Sequence, residues 1–357
     1  MAITRVKIIG SGLIGTSIAL ALAKSGSDVT MIDRSSNSAA LAQALVGGLG
    51  SQEGPFDLTV IALPPLAITD EFLREICTDL NSTFIDVASV KGNLLERVSR
   101  LPSLSGRFCS THPMAGREVG GAGSARSDLF QGRNWILLDS KRLEEERRAM
   151  VLELIEICGA RPVEMAPGEH DRAIALISHL PQLMASILAS QLIDAPEEIL
   201  ELSGQGLRDS IRIAGSDPQL WREIISANAS EITPLLEKVS AVITGSLSHL
   251  SNPDVVEKII AQGRDGRNRI PGKHGGVSRN YAYIPIVIPD KPGQLGALFQ
   301  ECAQAKINIE DLSIEHSPGQ ETGLITLAVA PADAEILAKH LAAKGWDVHS
   351  FNENVKA

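Results

Sequence analysis

The segment Gly10-Ser11-Gly12-Leu13-Ile14-Gly15 constrains this chain more than any other feature. The β-rich run Val6-Lys7-Ile8-Ile9 precedes it and the helical pattern Leu13 to Lys24 comes after it; a second β-run, Val29 to Ile32, ends at Asp33. GxGxxG alone is a weak signal. Between a strand and a helix, with an acidic residue 18 positions past its last glycine, it is the fingerprint of a dinucleotide-binding βαβ unit. Gly10 allows the tight turn, Gly12 lets backbone approach a pyrophosphate, and Gly15 permits close helix–strand packing. Leu13 and Ile14 open the helix, whose N-terminal N–H groups and partial positive charge suit an anion. Asp33 is placed to accept from a ribose 2′-hydroxyl and to repel a 2′-phosphate, which favours NAD; Arg34 beside it keeps NADP open. Ala62-Leu63-Pro64-Pro65, after the third strand, would wall the adenosine and pyrophosphate side.

Further strand candidates at Leu58 to Leu63, Thr83 to Val87, Phe108 to Ser110 and Trp135 to Leu138 alternate with helical stretches. That alternation implies parallel βαβ units and a doubly wound sheet, an α/β Rossmann domain over residues 1–166. Residues 167–262 read as an all-α domain. Ala173, Ile174, Ile177 and Leu180 share one helical face, as do Leu207, Ile211 and Ala214. Asp217-Pro218 reads as an N-cap with proline in the first turn, opening a long helix that carries Trp221, Ile224 and Ile225. This domain has more apolar surface than partners to cover it, so a homodimer is expected. Residues 263–280, rich in glycine and arginine, read as a linker. Residues 281–357 restart as βαββαβ, a small α+β ferredoxin-like domain.

Composition removes several classes of function. Against 33 Lys and Arg stand 43 Asp and Glu, a net charge of −10, so sequence-independent nucleic-acid binding is not expected. No apolar run approaches the length of a membrane span. The start, Met-Ala-Ile-Thr-Arg-Val-Lys, leaves no room for a signal peptide before the first strand. The cysteines, Cys77, Cys109, Cys158 and Cys302, are far apart and form no CxxC pair. A reduced, cytoplasmic protein is the expectation.

A nucleotide-binding domain does not say what is oxidised. Polar residues with no core role carry that information. Ser110-Thr111-His112-Pro113 ends a strand and runs through Arg117 and Glu118 into Gly120-Gly121-Ala122-Gly123. Proline holds the preceding histidine extended, so the imidazole points from the sheet's rim, where it suits a proton acceptor for a hydroxyl. Asp86-Val87-Ala88-Ser89-Val90-Lys91 ends another strand, and Ser89 is able to orient an imidazole or a nicotinamide amide. In Ser178-His179-Leu180-Pro181 the proline cannot donate to the carbonyl of Ile177, so the helix opens beside His179. Arg208 and Arg212 lie one turn apart with Asp209 between them, which suits an arginine steadied by a carboxylate while it grips a substrate carboxylate; solvated surface charge is the alternative.

Taken in order, GSGLIGTS, DVASVK, THPMAGRE with DLFQGRNW, ISHLPQ and GLRDSIRIAGSDPQLW resemble the prephenate/arogenate dehydrogenase family of tyrosine biosynthesis, over about residues 5–260. Residues 281–351, with IPDKPGQL and Ile307-Asn308-Ile309, look like an ACT domain, a module that usually binds an amino acid effector. The resemblance implies oxidative decarboxylation. A hydride leaves the hydroxyl-bearing ring carbon for the nicotinamide, the opposite carboxylate leaves as carbon dioxide, the ring becomes aromatic, and no metal is needed. It implies His112 as the catalytic histidine, Ser89 as the residue that positions it and the nicotinamide, and His179 and Arg212 as substrate-binding, with the arginine at the ring carboxylate. Trp221 matches the substrate region, and Glu118 an acidic residue near the pocket entrance. The substrate is prephenate, giving 4-hydroxyphenylpyruvate, or arogenate, giving tyrosine directly. An aromatic amino acid effector is expected near Asp290, Gly293, Leu295 and Asn308.

Overall fold

The computed structural model describes residues 3–47, 50, 55–117, 119–270, 281–316 and 322–349. It divides into two compact units: Met1–Ser190 with Ile211–Ser240, and Gln191–Ser210 with Ala241–Ala357. The helical stretch 167–262 is therefore shared between them.

The first unit is built on a seven-stranded sheet: β1 (Arg5–Ile9), β2 (Asp28–Ile32), β3 (Leu58–Ile61), β4 (Thr83–Asp86), β5 (Phe108–Pro113), β6 (Asn134–Leu138) and β7 (Arg161–Met165). Its spatial order is β2-β1-β3-β4-β5-β6-β7. The central strands β3 and β4 are buried at every residue, as expected of strands covered on both faces. Helices α1 (Leu13–Lys24), α2 (Ser36–Val46), α3 (Asp70–Ile76), α4 (Gly92–Ser99) and α5 (Glu145–Ile157) belong to the same unit. The strand order reverses between β1 and β3, and in such sheets ligands bind in the crevice outside the strand ends at that point.

The sheet departs from an all-parallel reading in one place. β6 runs antiparallel to β5, and β7 is parallel to β6. The connection from Pro113 to Asn134 holds no α-helix among its described residues, only the single 3₁₀ turn Ala122–Ser124, so it lacks the helical crossover that parallel neighbours usually use. The pairing also extends β5. Its partner on one side, β4, ends at Asp86 opposite Ser110, while β6 pairs on through Pro113. Thr111, His112 and Pro113 thus overhang β4, which puts His112 at the rim.

Next in the chain come α6 (Pro167–Ile174), a π-helical turn over Ala175–His179, and α7 (Leu180–Ser190). The wide turn agrees with the missing N–H of Pro181. It also rotates α7 relative to α6, so the face expected to bury Ala173, Ile174, Ile177 and Leu180 together is broken: Ile174 is buried while Ile177 is 61% exposed. The combined helix Pro167–Ser190 is long and apolar enough to cross a membrane, contrary to the expectation from apolar runs. Interspersed polar residues hide that property from a search for unbroken apolar stretches. Two of them, Asp171 and Gln182, bond to other elements of the same unit, so the helix is built into it.

Helix α8 (Glu197–Leu200) and most of α9 (Gln205–Ile211) fall in the second unit. The long helix expected after Asp217 is two helices, α10 (Pro218–Ala227) and α11 (Ala229–Leu247), separated at Asn228. Asp217 caps the first, accepting from the N–H of Gln219 at 2.8 Å. Helix α12 (Pro253–Arg267) runs into the stretch expected as linker, because Asn252 caps it and neither glycine in 263–267 is followed by proline. Residues 271–280 lie outside the described residues.

The C-terminal part of the second unit holds β8 (Ala282–Pro289), α13 (Gln294–Gln304), β9 (Asp311–His316), β10 (Thr322–Val329), α14 (Pro331–Ala343) and β11 (Asp347–Val348). They form an antiparallel sheet of order β11-β8-β10-β9. Ile284, Ile286, Ile325 and Leu327 alternate onto one face and pack with Leu298, Leu337 and Leu341 of the helices. Asp290 and Gly293 are exposed on the β8–α13 loop, Leu295 is exposed in the first turn of α13, and Asn308 donates to Glu310 at 2.8 Å.

Candidate active site

The glycine turn comes directly after β1, at the strand-order reversal. Gly10 adopts φ +108°, and a Cβ there would lie 2.2 Å from the carbonyl oxygen of Ala62. At Gly15 a Cβ would meet the carbonyl of Gly10 at 2.1 Å, so α1 sits directly on the turn. Gly12 is different: nothing lies within 4 Å of where its Cβ would be. The space in front of it is open, and the first N–H groups of α1, at Leu13 and Ile14, have no intrahelical acceptor. Leu63 closes over Gly10, and Pro64 is exposed before the 3₁₀ turn Pro65–Ala67.

Asp33 accepts from Ser11 at both the N–H (2.9 Å) and the hydroxyl (2.8 Å), and from the N–H of Ser35 at 2.9 Å. Partial burial pushes its pKa up, but these donors and the neighbouring Arg34 outweigh that, and the carboxyl is held below its usual range. An ionised carboxylate with lone pairs to spare therefore stands at the end of β2. The glycine turn, the helix N-terminus and this acceptor fit the pyrophosphate and ribose of a dinucleotide.

Three strands from β1 along the same edge, at the end of β5, lies a chain of polar groups. His112 Nδ1 is 3.0 Å from His170 Nε2, and His170 Nδ1 is 2.7 Å from Asp171 Oδ1. His170 is fully buried. Asp171 also accepts from the backbone N–H groups of Lys91 (2.9 Å) and Gly92 (2.7 Å), which pin α6 to the start of α4. Burial pushes the Asp171 pKa up, yet His170 and the two N–H donors bring it below the usual carboxylate value. The directions of the bonds are set by the acceptor-only carboxylate. His170 donates Nδ1–H to Asp171, which leaves its Nε2 as the acceptor. His112 then donates Nδ1–H and keeps a lone pair on Nε2.

The His112 pKa is lowered well below its ordinary 6.5, first by loss of solvent around the ring, then by the charge of Lys91 and the two neighbouring histidines. The ring is thus neutral at physiological pH. Its Nε2 makes no hydrogen bond among the described residues, yet it is not one of the fully buried side-chain atoms left without a partner. Beneath it, fully buried Lys91 pairs with fully buried Asp86, which also accepts from the Ser110 hydroxyl and the N–H of Ala88. Thr111 donates its hydroxyl to the Asp86 carbonyl at 2.8 Å and accepts from Trp135 Nε1 at 2.9 Å.

His179 ends the π-helical turn and is buried. Its Nδ1 is 3.0 Å from Asn228 Nδ2, and Trp221 packs edge-to-face against it with ring centroids 6.0 Å apart. Burial lowers its pKa to about 4, with Asp171 opposing and His170 adding to the shift. Arg212 is exposed at the first position of the 3₁₀ turn Arg212–Gly215, and Gln182 of α7 donates to the carbonyl of Ile213 in that turn at 3.0 Å.

Residues 18–164 match the family model described as prephenate dehydrogenase, nucleotide-binding domain, and residues 166–259 the model described as prephenate dehydrogenase, dimerization domain. The probable prephenate dehydrogenase NovF of Streptomyces niveus is 32% identical, the match covering 96% of this chain and 99% of that protein. The chain belongs to the prephenate dehydrogenase family. The prephenate dehydrogenase of Bacillus subtilis is 26% identical over 91% of both chains. Among solved structures, prephenate dehydrogenase from A. aeolicus in complex with hydroxyphenyl propionate and NAD+ superposes with a TM-score of 0.62 at 26% identity, covering 75% of this chain and 98% of that one.

Within this prephenate dehydrogenase family member, the glycine turn, Asp33 and His112 stand at strand ends along one edge of the sheet, and three sequence-derived expectations have a different outcome. Ser89 is half-buried after β4 and makes no hydrogen bond to His112; His170 holds that ring instead. The carboxylate of Asp209, expected to steady Arg212, accepts from Gln205 Nε2 of its own helix at 2.7 Å, since the 3₁₀ turn that starts at Arg212 interrupts the helical spacing. Glu118 lies outside the described residues. His170, Asp171, Lys91 and Asn228 are site residues that the sequence motifs do not single out. Adjacent His170-Asp171 nine positions before His179 is the available signal for the first pair, since that spacing puts both histidines along one helical segment.

Proposed function

We propose that this chain is an NAD-dependent prephenate dehydrogenase, converting prephenate to 4-hydroxyphenylpyruvate and carbon dioxide. The observation that carries the reading is the Asp171–His170–His112 chain, which leaves a neutral imidazole with an open Nε2 lone pair at the sheet edge that holds the glycine turn. NAD, when bound, accepts the hydride from the ring carbon bearing the hydroxyl. Gly12 and the start of α1 would hold its pyrophosphate on the turn that Gly10 and Gly15 make possible, Leu63 and Pro64 would line the adenosine side, and Asp33 would take the ribose hydroxyls and disfavour a 2′-phosphate.

His112 Nε2 takes the hydroxyl proton while the carbonyl forms. The charge that builds on its ring is stabilised through His170 by the Asp171 carboxylate. When the ring carboxylate leaves as carbon dioxide, its bonding electrons aromatise the ring and reach the carbonyl oxygen, and His112 returns the proton to it. The proton count closes with no net transfer to solvent. Arg212 holds the ring carboxylate, and His179, backed by Trp221, contacts the substrate. Ser89 contributes at the nicotinamide.

The C-terminal βαββαβ sheet of order β11-β8-β10-β9 supports the reading of an ACT domain that binds an aromatic amino acid on the loop Asp290–Gly293 with Leu295 and Asn308. Exposed apolar side chains from the π-helical turn into α7, such as Leu176, Ile177, Ile187 and Leu188, support a homodimer. Cys77, Cys109, Cys158 and Cys302 are free thiols, which supports a cytoplasmic enzyme. Steady-state rates with prephenate and arogenate, each with NAD and NADP, test the proposal. Prephenate with NAD is expected to have the highest kcat/KM; no cofactor reduction with either substrate would overturn it.

A further inference from the structure

We infer that Asn228 is a positioning residue that fixes His179 as a hydrogen-bond donor at Nε2, so that the two imidazoles of the site face the substrate with opposite polarity. The inference rests on reading His112 and His179 as substrate-facing residues.

Asn228 is 2% exposed and interrupts what would otherwise be one long helix. Its Nδ2 lies 2.9 Å from the backbone carbonyl of Asp171 and 3.0 Å from His179 Nδ1. A carbonyl only accepts, so the amide nitrogen, not the amide oxygen, must face Asp171. The same nitrogen has a second proton, and that one is aimed at His179. His179 Nδ1 is therefore the acceptor, and the ring's own proton sits on Nε2. Nε2 has no partner among the described residues and is not sealed from solvent.

Both polarities trace back to one residue. The Asp171 carboxylate sets His170 and through it leaves His112 Nε2 as an acceptor, while the Asp171 carbonyl sets Asn228 and through it leaves His179 Nε2–H as a donor. An acceptor suits a ring hydroxyl that must lose its proton. A donor suits an oxygen that has none, a carboxylate or keto oxygen of the same substrate. The charged and titratable groups facing His179 are Asp171 and His170 from its own helical segment, with His112 from β5, and burial keeps the ring neutral among them.

Two-bond ¹H–¹⁵N correlation spectra of the ¹⁵N-histidine-labelled full-length protein read the tautomer without substrate. His179, assigned by loss of its signals in His179→Gln, is expected as the neutral Nε2–H form from pH 6 to 8; a ring protonated at Nδ1 would overturn the inference. Asn228→Asp replaces the donor by an acceptor of the same shape. With folding verified by circular dichroism, it should move the His179 proton to Nδ1 or bring a His179 titration into the neutral range. KM for prephenate should rise about tenfold, one hydrogen bond's worth, with kcat at saturation little changed. Wild-type tautomer and wild-type KM in that variant would overturn the inference. Absence of dehydrogenase activity in the wild type would instead sink the proposed reaction, and the tautomer measurement would stand.

Discussion

Replacing His170 by Phe removes the middle of the chain while keeping a planar ring in a fully buried position. Two hydrogen bonds are lost, one of 3.0 Å from His112 and one of 2.7 Å onto the Asp171 carboxylate. A neutral bond of this kind contributes about 1 kcal/mol net and one to a charged group about 1.5–3 kcal/mol. Both strengthen as positive charge builds on His112 during proton transfer, so about 2.5–4 kcal/mol falls on the barrier. That corresponds to roughly 10²–10³ in kcat. Freed of its partner, His112 also divides between two tautomers, one of which has no lone pair on Nε2. Cofactor reduction monitored by absorbance gives kcat and KM, and titration with NAD in the absence of substrate checks the nucleotide site, which the substitution does not touch. The expected result is a fall in kcat of that size with unchanged NAD affinity and a folded protein. A folded variant with kcat within about threefold of wild type would refute the idea that His170 transmits charge from His112 to Asp171.

Four further outcomes are expected. His112→Asn should cut turnover by at least ~10²-fold with NAD binding intact; near-normal turnover removes His112 from the chemistry. Arg212→Gln should raise KM by roughly 10–100-fold, the loss of a hydrogen bond to a charged group, and an unchanged KM would clear it of the carboxylate role. Because the folded-state pKa values of His112 and His179 are depressed, the unfolded chain binds more protons than the native one below about 6.5, so Tm should fall as pH drops from 6.5 towards 4; a flat or rising Tm over that interval contradicts the buried neutral rings. Tyrosine or phenylalanine should alter the rate of the full chain and lose that effect in Asp290→Ala, whereas an effect retained in the variant would place the effector elsewhere.

Local pattern makes much of this legible. The glycine turn, Asp33, the strand ends at Asp86 and the Asp217-Pro218 cap are each set by residues within a few positions of one another, where turn sterics and capping chemistry decide the outcome. The reversal of β6 is not legible. It depends on a connection without a helix between Pro113 and Asn134, and the periodicity of β6 is the same in either direction. The break at Asn228 is hidden for a related reason. Ala227, Asn228 and Ala229 look like ordinary helical residues, and only the arrival of Asp171 and His179 from far along the chain makes the asparagine worth a helix end. His112 stands out by its place before proline, but the residue that orients it comes from α6. The sequence motifs offer Ser89, and a fully buried histidine, His170, is the answer in space.

Crystallography of the ternary complex, with NAD and an unreactive ring alcohol shaped like the substrate, tests the central claim most directly. The account requires His112 Nε2 within about 2.6–3.2 Å of the ring hydroxyl, with Nδ1 still bonded to His170. A hydroxyl held by another group, with the His112 ring turned from the nicotinamide, would contradict it.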